Sequence, residues 1–299
     1  MTGLADELLT PRDWLRWAVS RFNETRLFFG HGTDNAYDEA VYLILHTLHL
    51  PLDRLEPFLD AHLTRQERLA LMNVLEQRIV HRLPAAYLTR EAWLGEFRFY
   101  VDQRVIVPRS YFAELLSERL APWITDPDGV RNALDLCTGS GCLAILMAHA
   151  FPGAAIDAAD ISADALEVAR RNIDSYHLGD RVRLVKSDVF MGLAERHYDL
   201  ILCNPPYVTA EAMAALPAEY RHEPTLALAA GSDGLDIVRR LIADAADHLN
   251  PDGILMVEVG HNADIVEAAF PDLPLTWVDV PSAEGKIFLV SRQDLESHR

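Results

Sequence analysis

The sequence predicts an α/β architecture: a mostly parallel sheet covered by helices on both faces, preceded by a small helical domain and a β-hairpin. Three observations lead there. From about residue 108 onward, short apolar runs alternate with segments of helical periodicity, the pattern of parallel strands joined by helical crossovers. One junction, ALDLCTGSGCLAI (133–145), is a strand running into a glycine-containing loop and then a helix. Residues 1–83, by contrast, carry helical signals only.

The elements follow in order. Thr10-Pro11-Arg12-Asp13 is a helix start, with a threonine N-cap, proline at the first helical position and an acid in the first turn. Leu15, Ala18, Val19 and Phe22 then recur at helical spacing. Ala40 to Leu50 is an apolar helical segment ended by Pro51. Thr64-Arg65-Gln66-Glu67 is a capping box ahead of Leu69, Leu71, Met72, Leu75 and Ile79. Aromatic and β-branched residues in AWLGEFRFYVDQRVIV (92–107), with a central Asp102-Gln103, read as a hairpin or two short strands. The expected division is a helical domain at 1–83, a hairpin linker at 84–107 and an α/β domain at 108–299. Within the last, strands are expected at 132–137, 154–159, 181–186, 197–203, 252–259, 274–280 and 285–291, and helices beginning near Gly141, Ala163, Gly234 and Asn262.

Composition narrows the function classes. The chain has 299 residues, half of them hydrophobic, which is enough for a substantial core. No apolar run approaches the roughly 18 residues that span a bilayer. The start, MTGLADELLTPRDW, lacks the basic-then-apolar form of a secretory signal, so a cytoplasmic location is expected. With 45 acidic and 27 basic side chains the net charge is -18, which repels a phosphate backbone and either attracts a basic protein partner or simply keeps the chain soluble. Cys137, Cys142 and Cys203 form no Cys-x-x-Cys pair, and the odd count opposes a disulfide framework. No His-Glu-x-x-His pattern occurs, and no metal site is expected.

Four strand ends carry groups suited to a ligand. Thr138-Gly139-Ser140-Gly141 and the helix that follows form a Gly-x-Gly-x-x-Ala turn, where a ligand can approach the backbone closely; any tight strand-to-helix turn can use the same glycines. Asp160 ends the next apolar run nineteen residues after Gly141, where an acid holds ribose hydroxyls; its alternative role as a helix cap falls more naturally to Ser162. Asp188, at the third strand end, is placed to accept from a purine amine, or is an ordinary loop acid. YDLILC (198–203) then delivers Asn204-Pro205-Pro206-Tyr207 to the same edge. Asn204 is held extended because it precedes proline. Neither proline has an N–H, so the loop offers carbonyl oxygens, the Asn204 amide and the face of Tyr207. That set suits a planar group bearing an NH2, either a carboxamide or an amino-substituted base.

Asp135-Leu136-Cys137-Thr138-Gly139-Ser140-Gly141, Asp160 and Asn204-Pro205-Pro206-Tyr207 resemble the seven-stranded, Rossmann-like S-adenosylmethionine-dependent methyltransferases that act on planar amino groups. VIVPRSYFAEL (105–115) and EYRHEPTLALAAGSDGL (219–235) are similar to segments of the protein-(glutamine-N5) methyltransferases, and the helical domain and hairpin match as well. Pro108-Arg109-Ser110 and Tyr220-Arg221-His222-Glu223-Pro224 are closer to the branch that modifies the third protein of the large ribosomal subunit than to the release-factor branch. Tyr111 departs from that branch, where a proline is common. Val189 stands where the release-factor branch carries a tryptophan beside the adenine.

The resemblance implies S-adenosyl-L-methionine as cofactor, held by Thr138, Gly139, Ser140, Gly141, Asp160, Asp188 and Asn204. It implies Asn204, Pro205 and Tyr207 as catalytic groups. A glutamine would be bound by Asn204, Pro205, Pro206 and Tyr207, with Arg109 and Glu223 either assisting or forming a plain ion pair. The implied substrate is a basic ribosomal protein. The alternatives are peptide-chain release factors, a nucleic-acid adenine N6-methyltransferase, which the charge disfavours, and a non-catalytic binding protein of the same fold.

Overall fold

The computed structural model describes residues 3–193 and 195–299, which form two compact units. One comprises Met1–Ala92 with Pro217–His222; the other comprises Trp93–Leu216 with Glu223–Arg299. Among the described residues no helix is long and apolar enough to cross a membrane.

The first unit is helical: α1 (Leu4–Glu7), α2 (Pro11–Glu24), α3 (Ala36–Thr47), α4 (Arg65–Val80) and α5 (Ala85–Thr89). Its helix starts follow local chemistry. Thr10 and Asp13 form a reciprocal capping box on α2, Thr64 and Glu67 do the same on α4, and the Asn35 side chain caps α3. Trp14, Phe22, Leu43, Ile44, Leu71 and Leu75 are fully buried in a common core. Each such side chain contributes about 1.5–3 kcal/mol by leaving water. Leu69, expected on the buried face of α4, is instead 40% exposed. The buried stripe runs Leu71, Leu75, Arg78, so an arginine ends an otherwise apolar face.

Arg78 is buried with its partners. Its Nε donates to Glu39 Oε1 at 2.6 Å, one terminal nitrogen to Glu219 Oε1 at 3.3 Å, and the other to the Phe28 carbonyl at 2.8 Å. Glu219 also accepts from the Phe28 N–H and from Arg82. The short segment Pro217–His222 is thereby fixed inside the helical unit.

The hairpin pairs β1 (Glu91–Leu94) with β2 (Phe97–Tyr100). Its turn falls at Gly95-Glu96, not at Asp102-Gln103. Gly95 adopts φ +59, a conformation that costs glycine nothing. Asp102 serves a different turn, accepting from the Arg104 N–H and guanidinium, and the chain beyond β2 is not strand.

After α6 (Phe112–Ser117) the second unit builds a seven-stranded sheet from β3 (Asn132–Leu136), β4 (Ala155–Asp160), β5 (Val182–Lys186), β6 (Tyr198–Cys203), β7 (Leu249–Glu258), β8 (Thr276–Val280) and β9 (Ala283–Ser291). The order is β5-β4-β3-β6-β7-β9-β8, with β9 antiparallel to both neighbours. The helices α7 (Cys142–Ala150), α8 (Ala163–Ser175), α9 (Ala210–Ala215), α10 (Asp236–Asp244), α11 (Ala263–Ala269) and α12 (Arg292–His298) complete the unit. Leu134, Ile201, Leu202, Leu255, Met256 and Val257 have essentially no exposed surface, as expected of central parallel strands covered on both faces. β7 begins earlier than the expected residue 252, because a register shift against β6 keeps 249–253 extended.

Candidate active site

Sheet order alone defines where a ligand belongs. β3 is flanked by β4 on one side and β6 on the other, so the crossovers diverge there and open a crevice at the carboxyl ends of the strands. Leu136 is paired with Ala159 and Cys203, Asp160 with Lys186, and Cys203 with Val257. The residues that end these strands therefore lie along one edge.

A cavity of about 300 Å³ opens at this edge, at the lower end of small-molecule sites. Gly139, Asp160, Asp188, Asn204 and Pro206 contribute to its wall, together with apolar groups such as Ile161, Val189 and Leu241. Arg104 and Arg240 also line it. Asp188 is paired with Arg240 at 2.7 Å, a partner that nothing local in the sequence signalled.

The β3–α7 loop makes three left-handed turns, at Cys137 (φ +60), Gly139 (φ +53) and Gly141 (φ +80). A Cβ on Gly141 would stand 3.1 Å from the Ala169 methyl, so this glycine lets the loop rest against α8. Thr138 and Ser140 are buried rather than on the cavity wall. The Thr138 hydroxyl donates to Asp135 Oδ2 at 2.5 Å, and the Ala144 N–H donates to the same oxygen at 2.9 Å. Asp135 is wholly buried and its Oδ1 has no partner among the described residues. Burial lifts its pKa to about 7. Asp160 accepts from the Gly139 N–H and the Ser162 N–H, both at 2.9 Å, and burial raises its pKa as well. The Ser162 hydroxyl accepts from Ala165 and caps α8, as expected.

The Asn-Pro-Pro-Tyr loop leaves β6 beside these groups. Asn204 is partly buried, and its Nδ2 donates to the Arg109 carbonyl at 3.3 Å. Tyr207 is held by its surroundings: its carbonyl accepts from Asn262 Nδ2 at 2.7 Å, and its ring lies on Gly260, where a Cβ would come within 2.7 Å of a ring carbon. Gly260 has φ +60. The run Glu258-Val259-Gly260-His261-Asn262 at the tip of β7 thus supports the loop, a role that strand periodicity did not reveal.

Arg109 and Glu223 meet each other. Two parallel hydrogen bonds of 2.6 and 2.7 Å join the guanidinium to the carboxylate, which is fully buried and also accepts from the Val107 N–H. The structure brings the two residues together across 114 positions of sequence. Among the described residues no cluster of three or more histidine, cysteine, aspartate or glutamate side chains is placed to hold a metal ion.

Residues 113–219 match the family model described as the methyltransferase small domain. The chain is 60% identical over 291 residues to the ribosomal protein uL3 glutamine methyltransferase of Neisseria gonorrhoeae, covering 97% of each chain. It is 57% identical to the protein of that name from Bordetella pertussis, with 97% of this chain and 98% of the relative covered. With the Bradyrhizobium diazoefficiens protein of that name the identity is 49%, over 97% and 93%. The crystal structure of the hMettl16 catalytic domain in complex with MAT2A 3'UTR hairpin 6 superposes with a TM-score of 0.50 at 17% identity, covering 76% of this chain and 81% of that one; at that identity it speaks to the fold alone. The chain belongs to the family of ribosomal protein uL3 glutamine methyltransferases.

Proposed function

We propose that the protein transfers a methyl group from S-adenosylmethionine to the side-chain amide nitrogen of a glutamine in ribosomal protein uL3. The observation that carries this reading is Asn204-Pro205-Pro206-Tyr207 at the sheet's switch point, beside a cavity walled by Asp160 and Asp188. The cavity fits the cofactor. Gly139 brings backbone to its wall, two carboxylates sit at successive strand ends to meet hydroxyls and an amine, and Ile161, Val189 and Leu241 supply apolar surface for a planar base. When bound, S-adenosylmethionine supplies a methyl group activated on a sulfonium.

The rest is the work of this chain. A carboxamide nitrogen is a poor nucleophile because its lone pair is delocalised into the carbonyl. Asn204 Oδ1 and the Pro205 carbonyl accept the two amide hydrogens and aim the nitrogen at the methyl group. As the N–C bond forms and the S–C bond breaks, positive charge grows on nitrogen, and these hydrogen bonds strengthen with it. Tyr207, braced on Gly260, packs against the amide plane. One proton then leaves the nitrogen for solvent. The helical unit is the proposed recognition element for the protein substrate, and the net charge of -18 suits a basic partner.

Incubation with methyl-labelled S-adenosylmethionine and, separately, uL3, a release factor and RNA tests this reading. Label on uL3 alone is expected. Label on the release factor alone would move the substrate to the other branch, and salt-dependent label on RNA would overturn the protein-substrate reading.

A further inference from the structure

We infer that Glu258 is a positioning residue that sets which end of the Asn204 amide faces the substrate. This inference rests on the role proposed above for Asn204 and adds the group behind it.

Three observations converge. First, Cys203 and Val257 are paired on the parallel strands β6 and β7. The next residues, Asn204 and Glu258, therefore lie side by side at the strand tips, with side chains directed to the same face. Second, Glu258 is only 2% exposed, yet it is ringed by donors. One carboxylate oxygen, Oε2, accepts from the Ser110 hydroxyl at 2.6 Å and from the Tyr111 N–H at 3.0 Å. The Asn204 side chain and the Arg109 charge both lie near the carboxylate. Third, Asn204 Nδ2 also donates to the Arg109 carbonyl.

A primary amide has one donor end and one acceptor end. With a carboxylate and a backbone carbonyl gathered against Asn204, both hydrogens of Nδ2 are drawn to that side. Oδ1 is then the end left for the substrate. The reversed amide would set Oδ1 against a carboxylate and a carbonyl, and would offer an N–H to a glutamine NH2 that needs an acceptor.

The segment carrying the Arg109 carbonyl is itself pinned at two points. Glu223 holds Val107 and the Arg109 guanidinium; Glu258 holds Ser110 and Tyr111. Two buried carboxylates thus fix the Pro-Arg-Ser stretch beside Asn204. A buried acid whose burial lifts its pKa to about 7 is costly to keep, and Asn204 gives it an occupation that packing alone does not.

The test is a double-mutant cycle. Glu258→Gln is nearly isosteric but brings an NH2 that competes for Asn204 Oδ1. It is expected to lower kcat by about 10- to 100-fold, the effect of a mis-set amide, while cofactor affinity by calorimetry stays at the wild-type value, because Glu258 does not line the cavity. In an Asn204→Ala background the same change is expected to cost no more than about two-fold further. Full multiplicative loss in both backgrounds would overturn the inference, as would wild-type kcat for Glu258→Gln. If Glu258→Gln fails to fold by circular dichroism, Glu258→Asp, which keeps the charge and withdraws the oxygens, takes its place in the cycle with the same expectations. Wild-type turnover of Asn204→Ala by itself would defeat the proposed role of Asn204, and so separates that failure from failure of the positioning role.

Discussion

Asp160 and Asp135 lie on the neighbouring strands β4 and β3 yet have different tasks. Asp160 lines the cavity and is held by two backbone N–H groups. Asp160→Ala should weaken cofactor binding by roughly 10- to 100-fold, the worth of a hydrogen bond to a charged group, with calorimetry as the measurement and a melting curve to show that the fold persists. Asp135 braces the β3–α7 loop from beneath the surface, and burial lifts its pKa from 3.8 to about 7. Its folded form holds a proton that the unfolded chain gives up near the ordinary carboxylate pKa. The stability it contributes is therefore full at low pH and is lost as pH rises toward 7. Asp135→Asn, which keeps an oxygen for Thr138 and Ala144, should gain stability relative to wild type between pH 4 and about 7, by a few kcal/mol at most, and then level off. Urea unfolding across that range measures it; a difference that does not vary with pH would contradict the assignment. The places of Asp160 and Asn204 on the cavity wall were legible from sequence because strand ends and proline neighbours constrain them locally. The pairing of Asp188 with Arg240 was not, because 52 residues separate them.

At the scale of elements, the tip of β7 does more than end a strand. Glu258 lies beside Asn204, Gly260 under the Tyr207 ring, and Asn262 on the Tyr207 carbonyl. Gly260→Ala adds a methyl where a ring carbon stands 2.7 Å away and forces alanine into φ +60. It should cost about 1–2 kcal/mol of stability and lower kcat by displacing Tyr207, while leaving cofactor affinity unchanged; steady-state kinetics and calorimetry together check the split. The seven strands themselves were legible to within three residues, because buried parallel strands are short apolar runs between turn residues. The hairpin turn was misplaced, since Gly95 competed with Asp102-Gln103 and only backbone conformation decides between them. The contribution of β7 to the site was invisible, because an apolar period marks burial and says nothing about which polar residue at its end meets a neighbouring strand.

For the whole molecule, the two-unit organisation has a sequence-distant component. Pro217–His222 belongs to the helical unit although the residues on either side belong to the other. Arg78 holds it there through Glu219 while also neutralising Glu39. Arg78→Met would leave two buried carboxylates without that charge, and should cost about 3–5 kcal/mol, read as a lowered melting temperature and faster protease cleavage within 209–224. The sequence identified helices here and an α/β domain after them, but an arginine on an otherwise apolar stripe is explained only by partners 39 and 141 residues away. The net charge of -18, legible from composition, is the property of the whole surface that the proposed basic substrate would meet. All of these features serve one central claim, that Asn204 presents an acceptor to a glutamine amide. The most direct measurement is single-turnover methylation of uL3 by wild-type and Asn204→Ala enzyme at saturating cofactor, with tandem mass spectrometry locating the added methyl group. A glutamine side chain carrying the methyl, formed about 100- to 1000-fold more slowly by the variant, is expected; equal rates, or a methyl on any other residue, would contradict the claim.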